Sequence, residues 1–592
     1  MKTNSDSILS ESYPMIIWRD NTADRNEVTF DMKENALNDV SEKFIAVSYC
    51  WGDESPTEHL PLSNGDYLKV TSSVVLLIQH VAGVASGLPI WIDAICINQA
   101  DLEEKSTQVS MMGNIYSRAE CVLIWLGSKG FTQDDELSLW SYIKSSLKFE
   151  NTPFSSARGI VEDGAGDAVL GRVLQSRWFE RVWVVQEMCL ARKIFFLCGA
   201  IGMSLPFLQH YMETRRKNYT NIPDSYSNSS DWGQTGLSAF KRLRKLYKSR
   251  NLIQEHSGRP VVTLPDTLFD YQACKSTDPR DKVFALLGLA AYHQFQPDYS
   301  LSKEDTFIQA MIACAPFLDD YRILVYAGLA NPRFYQETAA TNLAMVPTWV
   351  PDFSCHFLTA PFAKHPDFKA TLPRDLNELL REFARSGNKD VVKLGLTNDL
   401  CLRIQIHSVD VIEDMTMDGL CPIGSSSSIE REVSKRRYDI SREGIRMLEE
   451  GGSVEPASHI CRETMTAGGL NGDISQAERA TIFKDFQNSE DTGEHLSQSQ
   501  RDNRILNFYT QMHLSGIGRS RKLFITSRGH FGMANNGVSK DDLACLISGA
   551  PVPFVLRKRT ASSGDYEVYN LYVFVWRMSL SRRLGPCCPK RY

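Results

Sequence analysis

The sequence has no Cys-x-x-Cys pair and no Cys/His cluster at zinc-ligand spacing, which excludes a finger- or ribbon-type zinc site. Its 14 cysteines are scattered. Cys121, Cys189, Cys198 and Cys314 lie in apolar runs, and the adjacent Cys587 and Cys588 suit neither zinc nor an ordinary disulfide. Buried, reduced thiols of a cytoplasmic protein are expected. A P-loop, a G-x-G-x-x-G behind a strand and a G-x-S-x-G elbow are all missing, so a nucleoside triphosphatase, a dehydrogenase and an α/β-hydrolase are unsupported. No apolar run is long enough to cross a bilayer; Val74–Ile78 is cut short by Gln79 and His80. The first residues are polar and acidic, and no secretory leader is expected. An excess of positive charge is also absent. Lys and Arg number 65 against 71 Asp and Glu, a net charge of -6, which gives no reason to expect a nucleic-acid partner.

What is present is an ordinary globular composition, 43% apolar and 23% charged, over 592 residues, enough for two or three domains. The densest pattern runs from Phe44 to Gly199. Phe44–Tyr49 reads as a buried strand ending in the turn Cys50-Trp-Gly-Asp53. Leu68–His80 leads into a helix, and Pro89–Asp93 reads as a second strand. Asp101-Leu-Glu-Glu104 has the form of a capping box, followed by Val109, Met112, Ile115, Tyr116 and Ala119 at helical spacing. Cys121–Trp125 is a third strand, Trp178–Leu190 a helix and Lys193–Cys198 a fourth strand. Strands alternating with helices imply a parallel sheet, whose ligand crevice lies at the carboxyl ends of the strands. Trp51, Asp53 and Asp93 fall at those ends.

The remaining chain divides by composition. Residues 1–43 form an N-terminal extension, and 200–237 a polar linker. Residues 238–420 read as mainly helical, with Asp278 as an N-cap, Pro279 in the first turn and Asp281 two residues on. Val346–Asp352 reads as extended because of its two prolines. Residues 421–504 are polar and read as a partly disordered insertion with some helix. Residues 505–592 read as a small β-rich unit. The basic clusters Lys435–Arg437 and Arg557–Arg559 read as solvated surface.

Several segments carry a family likeness. FIAVSYCWGD (Phe44–Asp53), the segment Trp91–Gly127 and the segment Ser176–Gly199 resemble, in order, three motifs of fungal heterokaryon-incompatibility (HET) domains. STDPRDKVFALLGL (Ser276–Leu289) and VPTWVPDFS (Val346–Ser354) resemble segments that often follow them. Lys105 stands where the family leads one to expect Arg, and the ending Leu571–Tyr592 lacks the usual glycine-rich pattern. The resemblance implies a fungal protein of non-self recognition and programmed cell death, a form of innate immunity. HET domains in turn resemble TIR domains, whose fold is a flavodoxin-like parallel sheet. Some TIR domains hydrolyse NAD with the glutamate of a Trp-x-x-x-Glu pattern, and Trp183-Val-Val-Gln-Glu187 matches that pattern. The fold implied is therefore α/β, with a TIR/flavodoxin-like parallel sheet over residues 44–199.

This resemblance makes Glu187 the candidate catalytic residue. A carboxylate beside the ribose stabilises the oxocarbenium-like transition state of nicotinamide–ribose cleavage. NAD(P) would be the substrate; no resident cofactor and no metal are expected. Ser48, Tyr49, Trp51, Asp53, Asp93 and Trp183 are the candidate nucleotide-binding residues. Each has a plainer account. Glu187 reads equally as a surface or ion-paired glutamate, with Arg181, Arg192 or Arg280 as partner. Asp53 and Asp93 suit turns, and Tyr49, Trp51 and Trp183 suit packing. Arg280 reads as the partner of an acid in the α/β module. Two function classes stay open: an NAD(P) glycohydrolase, and a non-enzymatic module that self-associates and recruits an incompatibility partner.

Overall fold

The computed structural model describes residues 12–19, 29–36, 43–51, 55–85, 87–127, 131–147, 164–199, 201–211, 233–291, 294–314, 347, 349–354, 395–396, 402–403, 406–416, 442–450, 521–535, 538–547, 554–559 and 568–577. The chain forms two compact units, residues 1–306 and 307–592.

The first unit is built on a seven-stranded sheet. β1 (Ser12–Arg19) and β2 (Thr29–Ala36) pair antiparallel at one edge. The centre is four parallel strands: β3 (Ile45–Tyr49), β6 (Ile90–Ile92), β7 (Cys121–Trp125) and β8 (Ile194–Cys198). β9 (Ile201–Ser204) pairs antiparallel with β8 at the far edge, giving the order β2-β1-β6-β3-β7-β8-β9. Between β3 and β6 the chain makes a separate hairpin of β4 (Glu58–Pro61) and β5 (Tyr67–Val70). β3, β6 and nearly all of β7 are buried, as expected where both faces of a parallel sheet are covered.

Side chains alternate between faces along each strand. Val47 and Tyr49 of β3 join Ile92, Leu123 and Trp125 in a core completed by Val74, Leu77, Ile78 and Val81 of α1 (Ser72–Ala85). Burying each of those aliphatic side chains contributes about 2 kcal/mol. Thr71 opens α1, its hydroxyl accepting from the Val74 N–H at 3.3 Å. On the other face lie α3 (Leu102–Arg118) and α6 (Trp183–Leu190), which pack on each other. The single turn α2 (Asp93–Cys96) links β6 to this layer. Asp101 caps α3 as its sequence predicts, accepting from the N–H groups of Glu103 and Glu104 at 3.0 and 3.1 Å. The other arm of the box reaches past the cap: Glu104 accepts from the Asn98 N–H at 2.9 Å. α4 (Gln133–Leu147) and α5 (Gly164–Val173) fill the connection from β7 to α6.

Two boundaries differ from the sequence reading. Residues 12–36, read as an extension, supply two strands of the sheet, and residues 201–211, read as linker, supply β9 and a helical turn. The edge strands β2 and β9 have weak apolar alternation, and the run Met15–Trp18 of β1 is too short to stand out from the polar residues around it. The first unit continues through α7 (Gly233–Glu255), the short parallel pair β10 (Val262–Thr263) and β11 (Ala290–Ala291), α8 (Leu264–Asp270) and the single turn α9 (Asp281–Phe284). α10 (Lys303–Cys314) follows.

In the second unit, β12 (Gly395–Leu396) and β13 (Leu402–Arg403) form a small hairpin. β14 (Ile406–Met415), β15 (Arg521–Thr526), β16 (Phe531–Asn535), β17 (Leu543–Ile547), β18 (Phe554–Arg559) and β19 (Val568–Arg577) close an antiparallel barrel in the order β14-β15-β16-β19-β18-β17. β14 comes from the stretch read as mainly helical. Arg557, read as solvated, instead forks onto buried Asp542, with Nε and Nη2 each 2.8 Å from an oxygen. Of the segment Val346–Asp352, Pro347 and Trp349–Asp352 are described, and they include a turn: the Val350 N–H donates to the Pro347 carbonyl at 3.0 Å. The helical pattern beyond Cys314, the Lys435–Arg437 cluster and the last fifteen residues lie outside the described residues.

Candidate functional site

The parallel strands run 2-1-3-4 in chain order, since the chain passes from β3 to β6 on one side and then crosses back to β7 on the other. The crevice beyond the carboxyl ends of the strands at such a reversal is where open α/β sheets hold ligands. Ser48 and Tyr49 end β3, and Asp93 follows β6 directly.

Ser48 lies on the strand face opposite Val47 and Tyr49, toward α6. Its hydroxyl donates to Glu187 Oε2 and accepts from the Trp178 indole N–H at 2.6 Å. All three side chains are buried; Glu187 is 1% exposed. The surface glutamate considered from sequence is therefore excluded. Burial pushes the Glu187 carboxyl up to about 7, the charge of Asp93 adds to the rise, and Arg181 and the Ser48 hydroxyl oppose it. The Tyr116 hydroxyl of α3 is also buried beside this carboxyl, and burial and the Glu187 charge raise its proton affinity well above the ordinary range.

Asp93 is a second acid with raised proton affinity, from burial first; Arg181, the Trp51 indole and the Ala94 N–H act in the other direction. The Trp51 N–H forks onto both Asp93 oxygens at 3.1 Å, and the Ala94 N–H donates to one of them at 2.8 Å. Arg181 serves both acids. Its guanidinium donates to the Tyr49 carbonyl, and although burial works against its charge, Glu187 and Asp93 hold it protonated. Tyr49 is itself buried, and burial raises its phenol far above the ordinary range. The arrangement is thus two carboxyl groups of raised proton affinity around one arginine, with an indole at the partly buried rim. Environments of this kind hold groups near the pH at which they accept or stabilise charge.

The structure brings Ser48, Tyr49, Trp51, Asp93 and Glu187 into this cluster. Asp53 lies outside the described residues. Trp183 stands apart from it: its indole N–H donates to Asp281 Oδ2 at 3.1 Å. Of the three arginines weighed as partners for Glu187, only Arg181 acts on it. Arg192 donates to the Ser117 carbonyl at 2.9 Å, and Arg280 pairs with its neighbour Asp278 at 2.7 Å, so the expected pairing of Arg280 with an acid of the α/β module is not formed. Backbone proximity wins there, because Asp278 and Arg280 flank one turn and pay little entropy to meet. Tyr116 and Trp178 escaped sequence reasoning as site residues. Their periodic positions signal core, and nothing local marks a core side chain whose polar atom faces a carboxyl group. Among the described residues no group of acids, cysteines or histidines is arranged to hold a metal, and no helix is long and apolar enough to cross a membrane. Cys50, Cys96, Cys121, Cys189, Cys198, Cys274 and Cys545 are free thiols.

Comparison with known proteins places this geometry. Residues 44–187 match the family described as heterokaryon incompatibility protein (HET). The chain is 27% identical over 366 residues to heterokaryon incompatibility protein 6, OR allele, of Neurospora crassa, a match covering 52% of this chain and 53% of that protein. The chain thus spans about half the length of the curated relative it matches. No solved structure matches.

Proposed function

Starting from a chain that carries a HET domain over residues 44–187, we propose that this protein acts in fungal heterokaryon incompatibility, as the name of its Neurospora relative suggests, and that the HET domain acts by hydrolysing NAD(P). The observation that carries the reading is the Glu187 carboxyl, buried against Ser48 and flanked by Arg181 and Asp93 at the strand-order reversal. The 2-1-3-4 order is that of flavodoxin-like sheets, which supports the likeness to TIR domains.

In this reading the nicotinamide–ribose bond breaks with its electron pair passing to the nicotinamide, which leaves neutral. The Glu187 carboxylate stabilises the cationic ribose carbon and water then adds to it, releasing ADP-ribose, nicotinamide and a proton. Glu187 must be ionised to do so, so turnover rises through the pH range around 7. At 1% exposure the carboxyl is reached only after the packing around it gives way, so ligand entry includes a local opening. Asp93 and Arg181 orient the ribose and phosphate groups, and cell death follows from loss of the dinucleotide in the cytoplasm.

The test is nicotinamide release from NAD and NADP by the full-length protein and its Glu187→Gln variant. The expected result is a loss of at least 100-fold in a variant with unchanged circular dichroism; equal turnover overturns the reading. The same burial of Glu187 favours a second reading, a non-enzymatic module that self-associates and recruits an incompatibility partner. Absence of turnover in protein that light scattering shows to be assembled moves the assignment there.

A further inference from the structure

Helix α6, which carries Glu187, has eight residues, and its N-cap residue Val182 makes no side-chain cap. Two turns do not hold themselves in water. Every anchor that follows comes from chain beyond the family match. The Val182 N–H donates to the Lys275 carbonyl at 2.9 Å. The Trp183 indole donates to Asp281, and Gln186 Oε1 accepts from the Gly288 N–H at 3.2 Å. At the far end the guanidinium of buried Arg250 collects the carbonyls of Met188, Ala191 and Arg192, where a positive charge also suits the helix dipole.

Asp281 is the most firmly framed of these anchors. Its second oxygen accepts from the Tyr299 hydroxyl at 2.6 Å. Tyr299 is tied to α3, its N–H donating to Ser106 Oγ at 3.0 Å and its ring lying 4.2 Å from Lys105 Nζ. Arg280 lies 5.2 Å from the centre of the same ring and donates to the Tyr299 and Leu301 carbonyls. The frame therefore starts on α3, runs through Tyr299 and Asp281, and ends on Trp183, one helical turn before Glu187.

We infer that Asp281 is a positioning residue for Glu187: through the Trp183 indole it fixes α6 against β3, and the working unit of the site extends past the family match to residue 301. This rests on the reading of Glu187 as the working carboxylate. Its test reads the titration of Glu187 and not turnover, so either idea can fail without the other.

The charged and titratable groups facing Glu187 are Arg181, Asp93 and Tyr116; those facing Asp281 are Asp278, Arg280, Lys105 and Tyr299. Trp183→Phe alters none of them; it removes the indole N–H that Asp281 accepts, together with part of the ring. A loosened α6 admits water to the Glu187 carboxyl and relaxes the burial that raises it. The experiment compares the full-length protein with its Trp183→Phe and Asp281→Asn variants, each with and without Glu187→Gln. The stability gap made by Glu187→Gln is followed from pH 4.5 to 8.5. The pH at which that gap stops growing, which marks the folded-state titration of Glu187, is expected to fall by at least one unit, a tenfold change in proton affinity, from about 7 toward the ordinary glutamate range. An upper limit that stays in place in folded Trp183→Phe protein overturns the inference. If Asp281→Asn does not fold, Trp183→Phe alone decides.

Discussion

Replacing Glu187 with glutamine should make the protein more stable, and by an amount that depends on pH in a direction the structure fixes. In the unfolded chain this carboxyl titrates near 4.5; in the folded protein burial holds it at about 7. Between those values the folded state keeps a proton that the unfolded state has released, so rising pH favours unfolding. The stability contribution is full below pH 4.5, is lost as pH climbs through 7, and is absent above about pH 8. Each pH unit of separation corresponds to about 1.4 kcal/mol, so the total is roughly 3 kcal/mol. Glutamine carries no charge and still offers an oxygen to the Ser48 hydroxyl, so its variant escapes the loss. The gap between variant and wild type should therefore open from near zero at pH 4.5 to about 3 kcal/mol at pH 8. Urea unfolding followed by tryptophan fluorescence measures it, because Trp178 is fully buried and bonded to Ser48 in the folded state. Acids that titrate elsewhere, such as Asp135 paired with Arg172, act alike in both proteins and cancel. Parallel stability profiles for the two proteins would refute the reasoning and leave Glu187 ionised and paired throughout.

Two further outcomes follow from the anchoring of α6. Arg250→Met keeps the apolar stem but strips three carbonyls of their donor, which should cost about 3 kcal/mol and speed amide exchange across residues 183–190. Gly288→Ala sets a methyl group 2.5 Å from Gln186 Oε1, so the Gln186–Gly288 bond must break, at about 1–3 kcal/mol in urea unfolding. Adding Gln186→Ala to that variant should cost less than the two changes summed, since the same Gln186–Gly288 bond is lost in each single change and the clash is gone in the double.

The centre of the sheet was legible because its signal is local. Ile90–Ile92, Cys121–Trp125 and Ile194–Cys198 are uninterrupted apolar runs, Ile45–Tyr49 is broken only by Ser48, and Asp101 announces α3 by residues within one turn of it. Ser48 and Glu187 were picked out by resemblance to a family and not by any pattern that says they touch; 139 residues separate them. The family likeness offers Trp183 as a face for a nucleotide, yet its indole N–H is held by an aspartate 98 residues further on. The capping logic that explained Asp281 from its own neighbours gave no hint of that bond. Arg280 failed in the opposite sense: a long-range partner was expected, and the acid two residues away took it. Edge strands and β14 went unseen because half-exposed strands with polar residues look like loop or helix when their partners are not known.

The closing of the barrel carries a cost in time. β14 pairs with both β15 and β17, yet residues 416–520 separate it from the first of them. A ribosome adding about 5–20 residues per second leaves β14 without either neighbour for roughly 5–20 s. During that interval both of its backbone edges are open to strands from other chains. Loop-closure entropy grows only slowly with length, so the finished barrel tolerates the long excursion well. Its hazard is kinetic. Expression that outpaces chaperone supply should lose protein to aggregation at this seam, and substitutions that soften β14 should first appear as reduced yield and not as a lower melting temperature.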